Sequence, residues 1–385
     1  MTNQKTPWQT YRPERVKENK YDAIMIGSGI GGLAAAALLA KEGKKVLVLE
    51  RHYVAGGFTH TFKRKEYEWD VGVHYVGEVH RKKSILRRIF DDISDAKLEW
   101  EPMDATYDRI FFGKESYDLV AGFENFKQKL ISYFPHEQKG IEGYLQAVID
   151  VAQATKGFFS ARALPPFLGK IAQPLMGRSF LKYSDRTTYD VVASFIKDEK
   201  LIGLLTAQYG DYGMTPKEGS FAIHALIVKH YFDGGAYPVG GSGMMVETIA
   251  PVIEKSGGQI LIKADVKEII VKNGKAVGVR LANGDEVLAP MVISDAGIIN
   301  TYEKMLTPPV RASYGLDEKL KKVKPSLAHI CLYIGLKHSA KDLNLPRTNF
   351  WIYPGYDHDK SIQNYLRDPS SPLPEIGRAS CRERV

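Results

Sequence analysis

The chain has 385 residues, of which 44% are hydrophobic and 25% are charged, an ordinary composition for a globular protein. This length exceeds the usual size of one hydrophobic core, so we expect two interleaved domains. The formal net charge is +8, but no nucleic-acid-binding motif or dense arginine run is present, so the excess favours an anionic membrane surface over nucleic acid.

Cysteine content and hydropathy narrow the class further. Cys331 and Cys381 show neither metal-ligand spacing nor a pairing pattern, which excludes a disulfide framework and indicates a reducing compartment. Residues 1–20 are polar, and no run of 18 apolar residues occurs, so we expect neither a signal peptide nor a spanning helix. The composition predicts a cytoplasmic protein without a metal site, with peripheral attachment to a membrane as an open alternative.

The first predicted elements form a dinucleotide-binding unit. An apolar strand at 21–26 runs into Gly27-Ser28-Gly29-Ile30-Gly31-Gly32, and an alanine-rich helix follows from about Ile30 to Lys41. Such glycines permit a tight turn, close approach to a pyrophosphate and close helix packing, while the helix N-terminus favours negative charge. A strand at 45–49 then delivers Glu50, 18 residues after Gly32, near the spacing of an acid that binds a ribose hydroxyl. We therefore predict that Gly27, Gly29, Ile30, Gly31, Gly32 and Glu50 bind a dinucleotide.

The middle of the chain carries less chemistry. The alternating stretch 66–77 predicts a strand, and 81–93 predicts an amphipathic helix. No acidic residue occurs between Val151 and Ser184, where basic and apolar residues alternate around three prolines. We expect short helices there, which either lie on a bilayer surface through 157–182 or cover an apolar core as a lid.

The remaining predicted elements return the chain to the nucleotide sheet. Helices are expected at 187–211, 220–229 and 244–255, followed by a strand over 257–266. Two Asn-Gly pairs, at 273–274 and 283–284, separate alternating apolar segments and predict a three-stranded antiparallel meander. A buried strand at 291–294 follows.

Four motifs stand out along the chain: the glycine turn, Glu50-Arg51 with Gly56-Gly57, Asp70-Val71-Gly72-Val73-His74-Tyr75, and the run from His224 to Ser242. Together they resemble those of the phytoene desaturase, carotenoid isomerase and retinol saturase family of FAD enzymes, and the last of them is most like the retinol saturase branch. The likeness extends to about Gly335. It implies FAD as cofactor, held also by Arg51, Gly56, Gly57 and the backbone of Val266, with residues 72–75 near the flavin.

The resemblance implies hydride transfer at flavin N5 to or from a long apolar conjugated polyene, a carotenoid or a retinoid. Saturation, desaturation and isomerisation all fit, and saturation, which the branch favours, would need an external reductant such as NAD(P)H. No catalytic acid or base is assigned. The candidates His74, His230 and Tyr231 fit a buried structural role equally well. Two alternatives stay open: a flavin amine oxidase-like enzyme, and a non-catalytic, truncated FAD-binding fragment.

The predicted fold class is α/β, with an FAD-binding Rossmann-like parallel sheet, an antiparallel meander and an inserted α+β substrate domain. We expect the FAD-binding domain at 1–80 and 240–300. The substrate or membrane-facing domain is expected at 81–239 and continues over 301–374. Residues 375–385 lack periodicity and resemble a non-native tail, and the second flavin-binding segment with which family members end is not found, so we expect a fragment.

Overall fold

The computed structural model describes residues 6–17, 20–72, 75–368, 370 and 376–380. The chain forms two compact units. Unit 1 comprises the residues up to Glu101 together with Tyr237–Pro325, and unit 2 comprises Pro102–Ala236 and the chain from Ser326 to Glu383. The domain boundaries expected from the sequence, at 80, 239 and 300, stay a prediction.

Helices and strands are interspersed along the whole chain. Up to residue 102 they are β1 Gln9–Thr10, β2 Ala23–Ile26, α1 Ile30–Lys41, β3 Val46–Leu49, β4 Thr61–Arg64, β5 Tyr67–Asp70, β6 Val76–Gly77, α2 Ile85–Ile93 and β7 Trp100–Pro102. Next come β8 Thr106–Phe112, β9 Glu115–Val120, α3 Phe123–Tyr133, α4 Gln138–Ala163, α5 Pro166–Met176, α6 Arg178–Ser184, α7 Thr188–Phe195, α8 Glu199–Thr206 and α9 Phe221–His230. The last are β10 Gly235–Pro238, α10 Gly243–Lys255, β11 Gln259–Ile262, β12 Val266–Lys272, β13 Lys275–Leu281, β14 Glu286–Leu288, β15 Val292–Ser294, α11 Pro308–Ser313, α12 Leu316–Leu320, β16 Asn349–Tyr353, α13 His358–Arg367 and β17 Gly377–Ser380.

Unit 1 is built on a five-stranded parallel sheet with the order β1-β11-β3-β2-β15. Strands β2 and β3 are buried along their whole length, as expected for inner strands of a parallel sheet covered on both faces. Helix α1 joins β2 to β3 and packs against α10. The sheet therefore presents the turn after β2 at its carboxyl edge, where open α/β sheets bind ligands.

The meander lies beside this sheet in unit 1. Strands β12, β13 and β14 pair antiparallel, and the predicted Asn273-Gly274 turn closes the first hairpin. Asn273 and Gly274 both have positive φ, 51° and 71°, which asparagine and glycine adopt at low cost. The buried side chains of the meander share one core cluster with β2, β3 and β11. The predicted parallel sheet and the predicted meander are both confirmed.

Unit 2 combines a four-stranded sheet with most of the helices. The sheet has the order β17-β16-β8-β9, in which only β16 and β8 run parallel. Helix α4 packs against α9, α5 and α6. The expectation of an inserted α+β domain is confirmed by this mixture.

Three local predictions were wrong. The stretch 66–77 is not one strand: β5 ends at Asp70, and Lys65, at φ 53°, turns the chain back to pair β4 with β5. The region after Val151 does not begin with short helices, because α4 runs for 26 residues to Ala163 before the prolines at 165 and 166 end it. The predicted helix 187–211 is interrupted, because the Asp198 side chain accepts hydrogen bonds from two backbone N–H groups and starts α8 as a new helix.

Candidate cofactor site

The glycine turn joins β2 to α1 at the carboxyl edge of the sheet. Gly29 is the N-cap of α1, which starts at Ile30 and ends at Lys41, the bounds predicted from the sequence. A Cβ on Gly32 would lie 2.7 Å from the carbonyl oxygen of Gly27, so only glycine allows the helix to pack this closely on the strand. The first turn of α1 therefore directs free backbone N–H groups towards the edge where a phosphate would bind.

Glu50 lies at the end of β3, and its side chain turns towards the glycine turn. One carboxylate oxygen, Oε2, accepts hydrogen bonds from the Ser28 backbone N–H at 2.9 Å and from Ser28 Oγ at 2.7 Å. The other, Oε1, accepts from the backbone N–H of His52 at 2.8 Å. The residue is only 8% exposed. The carboxylate is thus positioned by three protein donors, and the remaining lone pairs are the ones that a ribose hydroxyl could use.

Ser28 also connects the glycine turn to the second glycine pair. Its Oγ accepts a hydrogen bond from the backbone N–H of Gly56 at 3.0 Å. A Cβ on Gly57 would lie 2.9 Å from the Cα of Gly29, so the two glycine segments touch backbone to backbone. The structure thus brings together Gly27–Gly32, Glu50 and Gly56-Gly57. Ser28 was not predicted from the sequence as a site residue, although its position inside the glycine turn could have indicated such a role.

The other predicted cofactor residues lie nearby in the same unit. Arg51 follows Glu50, and its side chain is exposed. Val266 is buried at the start of β12, where it pairs with Leu281. Backbone hydrogen bonds from Ala264 to Glu50 and from Lys263 to His52 hold the segment before Val266 against the end of β3. Val266 is therefore close in the fold to Glu50, and its contact with the adenine stays a prediction.

A second buried link in unit 1 was not anticipated. Asp70 Oδ1 accepts hydrogen bonds from the backbone N–H and the Oγ of Ser242, at 2.9 and 2.7 Å. Ser242 is fully buried and precedes α10, the helix that packs on α1. An acceptor at this point satisfies a donor at the start of the helix. The Asp70 motif and the glycine-rich motif before α10 are thus joined directly, by the hydrogen bonds between Asp70 and Ser242.

The three catalytic candidates are placed differently. His74 lies outside the described residues. Next to it in the motif, Gly72 packs against Phe58, and Tyr75 is buried with its ring 6.5 Å from that of Tyr237. His230 is the last residue of α9 in unit 2, and Tyr231 follows as its C-cap, with its ring stacked on that of Tyr107 at 5.9 Å.

Burial keeps two histidines of unit 2, His224 and His230, in the neutral form near pH 7. Burial, with a smaller contribution from Lys229, lowers the pKa of His230 to about 4. His224 is fully buried between two tyrosines, with Nε2 2.9 Å from the Tyr144 hydroxyl and Nδ1 3.4 Å from the Tyr212 hydroxyl. Burial lowers the pKa of His224 to about 3 and raises the pKa values of both tyrosines. His224, Tyr144 and Tyr212 are therefore all neutral near pH 7.

Comparison with known proteins places the fold and the site in a family. The sequence profile of the flavin-containing amine oxidoreductases matches residues 30–324. The chain is 38% identical to the all-trans-retinol 13,14-reductase of Danio rerio over 369 residues, which is 93% of this chain and 60% of that protein. It is 33% identical to the chloroplastic prolycopene isomerase 2 of an Oncidium hybrid cultivar over 302 residues, 74% of this chain and 50% of that protein. The chain thus spans about three fifths of the length of the first relative.

A solved structure supports the fold alone. An oxidoreductase from Methanosarcina mazei superposes with a TM-score of 0.57 at 22% identity, over 79% of this chain and 65% of that chain. The relatives confirm the resemblance to the carotenoid and retinoid group that the four motifs indicated. Because the family profile covers more than half of the sequence, the chain belongs to the flavin-containing amine oxidoreductase family, with FAD as its cofactor.

Proposed function

We propose that this protein is an FAD-dependent oxidoreductase that acts on a long apolar conjugated polyene, a retinoid or a carotenoid. The observation that carries the proposal is the similarity to a retinol reductase over 93% of the chain. The relatives named for retinol and for prolycopene share a polyene chemistry. We propose saturation as the direction, with NAD(P)H or another external reductant supplying the electrons.

The residues of the glycine turn fit FAD. We propose that the first turn of α1 receives the pyrophosphate, since its N–H groups and the helix dipole favour negative charge. Glu50, fixed by Ser28 and His52, would accept from ribose hydroxyls. Gly56-Gly57, held by Ser28, would leave the backbone open beside the ribityl chain, and the Val266 backbone would face the adenine.

Bound FAD would supply hydride transfer at flavin N5, which is chemistry that the protein's own side chains cannot supply. The protein's own residues would bind the cofactor and position the substrate against it. The histidines of unit 2 with lowered pKa values are neutral at physiological pH, so they do not place positive charges in that core. We assign no proton donor among them.

The experiment is a turnover assay with the purified chain reconstituted with FAD. Under anaerobic conditions with chemically reduced flavin, we expect all-trans-retinol to lose one conjugated double bond, seen as a shift of its absorption to shorter wavelength and as a dihydro product by mass. Product of unchanged mass but altered double-bond geometry would assign isomerisation instead. Oxidation of amines with release of peroxide, without conversion of retinoid or carotenoid, would contradict the proposal and favour the amine oxidase alternative.

We propose further that unit 2 contacts an anionic membrane through 157–182. Four large apolar side chains there are more than half exposed: Phe159 at 57%, Phe167 at 69%, Ile171 at 69% and Leu175 at 76%. Three of them lie on α5, and the basic residues of the segment are Arg162, Lys170, Arg178 and Lys182. Exposed apolar side chains with basic neighbours and no acid are typical of interfacial helices.

Among the residues that the structure describes, no helix is long and apolar enough to cross a bilayer. Contact through α5 would therefore be peripheral, with apolar side chains in the headgroup region and lysines near lipid phosphates. An apolar polyene partitions into membranes rather than into water, so such a contact would give the enzyme access to its substrate. If α5 instead covers an apolar core as a lid, its exposed side chains will not contribute to binding of lipid vesicles.

A further inference from the structure

Asp295 places a negative charge against the glycine turn. It follows β15, which pairs with β2, and its backbone N–H donates to the carbonyl of Ile26 at 2.8 Å. Its carboxylate fills the space that the glycines leave open. A Cβ on Gly29 would lie 2.5 Å from Asp295 Oδ2, and a Cβ on Gly31 would lie 3.0 Å from Oδ1. The side chain thus lies over the first turn of α1.

This is the place where the pyrophosphate of a dinucleotide is expected. The N-terminus of α1 carries a partial positive charge that either anion can use, a carboxylate or a phosphate. Asp295 is exposed to solvent, yet a pyrophosphate seated there would lie within a few Å of the carboxylate, a distance at which two like charges still repel by about 1 kcal/mol or more. The backbone of Asp295 cannot retreat, since β15 is hydrogen-bonded along β2. Only rotation of the side chain can clear the site.

We propose that Asp295 is an internal competitor for the pyrophosphate site and thereby sets the affinity of this chain for FAD. With FAD absent, the carboxylate stabilises the start of α1. With FAD bound, the carboxylate is displaced from the turn, and its displacement weakens FAD binding. The inference rests on FAD as the cofactor and does not depend on which substrate is used.

The test is the affinity for FAD of Asp295→Asn against the unaltered 385-residue chain, measured by quenching of flavin fluorescence in the absence of any polyene. Asparagine keeps the size of the side chain and removes its charge. We expect FAD to bind about tenfold more tightly to the variant, the order expected for removing one charge a few Å from another. The gain should shrink between about 20 mM and about 500 mM NaCl, because salt screens the repulsion.

The matched control is Asp92→Asn. Asp92 is an exposed acid that pairs with Lys41 at the opposite end of α1, so the same change of charge occurs far from the turn. We expect no change in FAD affinity. Asp295→Glu keeps the charge and should retain the weaker binding even if Asp295→Asn lowers the melting temperature. Binding by Asp295→Asn that is equal, weaker or undetectable would overturn the proposal. A failure of polyene turnover with the affinities as expected would count against the proposed function alone.

Discussion

Ser28 and Glu50 are joined by two hydrogen bonds to the same carboxylate oxygen, at 2.9 Å from the Ser28 backbone nitrogen and 2.7 Å from its Oγ. The Oγ in turn accepts from Gly56. One serine inside the glycine turn therefore fixes both the predicted ribose-binding acid and the second glycine pair. Substitution of either residue should loosen the cofactor site.

Ser28→Ala should weaken FAD retention. The substitution removes one donor to the buried Glu50 carboxylate and leaves the Gly56 N–H without its acceptor, a loss on the order of 1–3 kcal/mol. The measurement is the flavin-to-protein ratio after extensive dialysis. Ser256→Ala is the control, since that serine bonds only to backbone carbonyls near the end of α10. Equal flavin content in Ser28→Ala and the unaltered chain would show that the contact does not support the site.

Glu50→Gln should also weaken FAD binding. The amide has one acceptor oxygen where the carboxylate has two, yet three donors point at the position. We expect a loss of about 1–3 kcal/mol in FAD binding, read as a higher Kd by fluorescence titration. Unfolding of the variant should be followed in parallel, so that a binding loss is separated from a folding loss. Unchanged flavin content after dialysis would contradict the assignment of Glu50.

Asp70 and Ser242 should show a measurable coupling. Asp70→Ala and Ser242→Ala each disrupt the hydrogen bonding at the start of α10, so either change should cost about 1–3 kcal/mol in the free energy of unfolding. Because both remove the same side-chain contact, the double variant should lose less than the sum of the two. The measurement is a double-mutant cycle by urea unfolding. Additive losses would show that the two side chains stabilise the fold independently.

His224 should make the protein less stable in acid. Its folded pKa of about 3 lies below the unfolded value of 6.5, so the unfolded chain binds the proton first. The contribution of His224 to stability is therefore complete above pH 6.5 and is lost as the pH falls from 6.5 towards 3. The slope for one histidine is at most about 1.4 kcal/mol per pH unit.

His230 and His358, whose pKa values are lowered to about 4, act in the same direction. His224→Gln should therefore reduce the pH dependence of urea unfolding between about pH 7 and about pH 5 without abolishing it. The exposed His338 provides the control substitution, His338→Gln. A slope as steep in His224→Gln as in the unaltered chain would mean that His224 is not the group responsible.

The exposed apolar side chains of α5 should mediate binding to anionic vesicles. Phe167→Ser, Ile171→Ser and Leu175→Ser together remove the apolar contact and keep every basic residue, so we expect flotation with phosphatidylserine-containing vesicles to fall at least about tenfold. The control triple, Leu288→Ser, Ile298→Ser and Leu366→Ser, removes exposed apolar area elsewhere. Equal flotation of the two triple variants would favour the alternative in which α5 covers an apolar core as a lid.

Short sequence patterns were sufficient to predict helix α1 and the antiparallel meander. The bounds of α1 follow from Gly29 at its start and the apolar run to Lys41, and the meander follows from two Asn-Gly turns. The break in 187–211 was missed because the cap at Asp198 competes with an otherwise continuous helical pattern. The length of α4 was missed because its packing against α9 outweighs the weak helical preference of its glycines.

The contacts that complete the site could not be predicted from local pattern. Asp70 and Ser242 are 172 residues apart, and nothing in either segment identifies the other. Asp295 reaches the glycine turn only because β15 joins the sheet beside β2. The positions of Glu50 and the glycines were predicted, whereas their protein hydrogen-bond partners depend on the tertiary fold.

The pairing of β15 with β2 also fixes the order in which the protein can be completed during synthesis. Ile24 has Val292 as its partner, so the nucleotide sheet lacks one of its strands until all the residues between these two have been synthesised. Residues 102–236, by contrast, are made as one uninterrupted stretch and can collapse earlier. The glycine turn is therefore translated well before β15, but it becomes a finished binding surface only after β15 has been made.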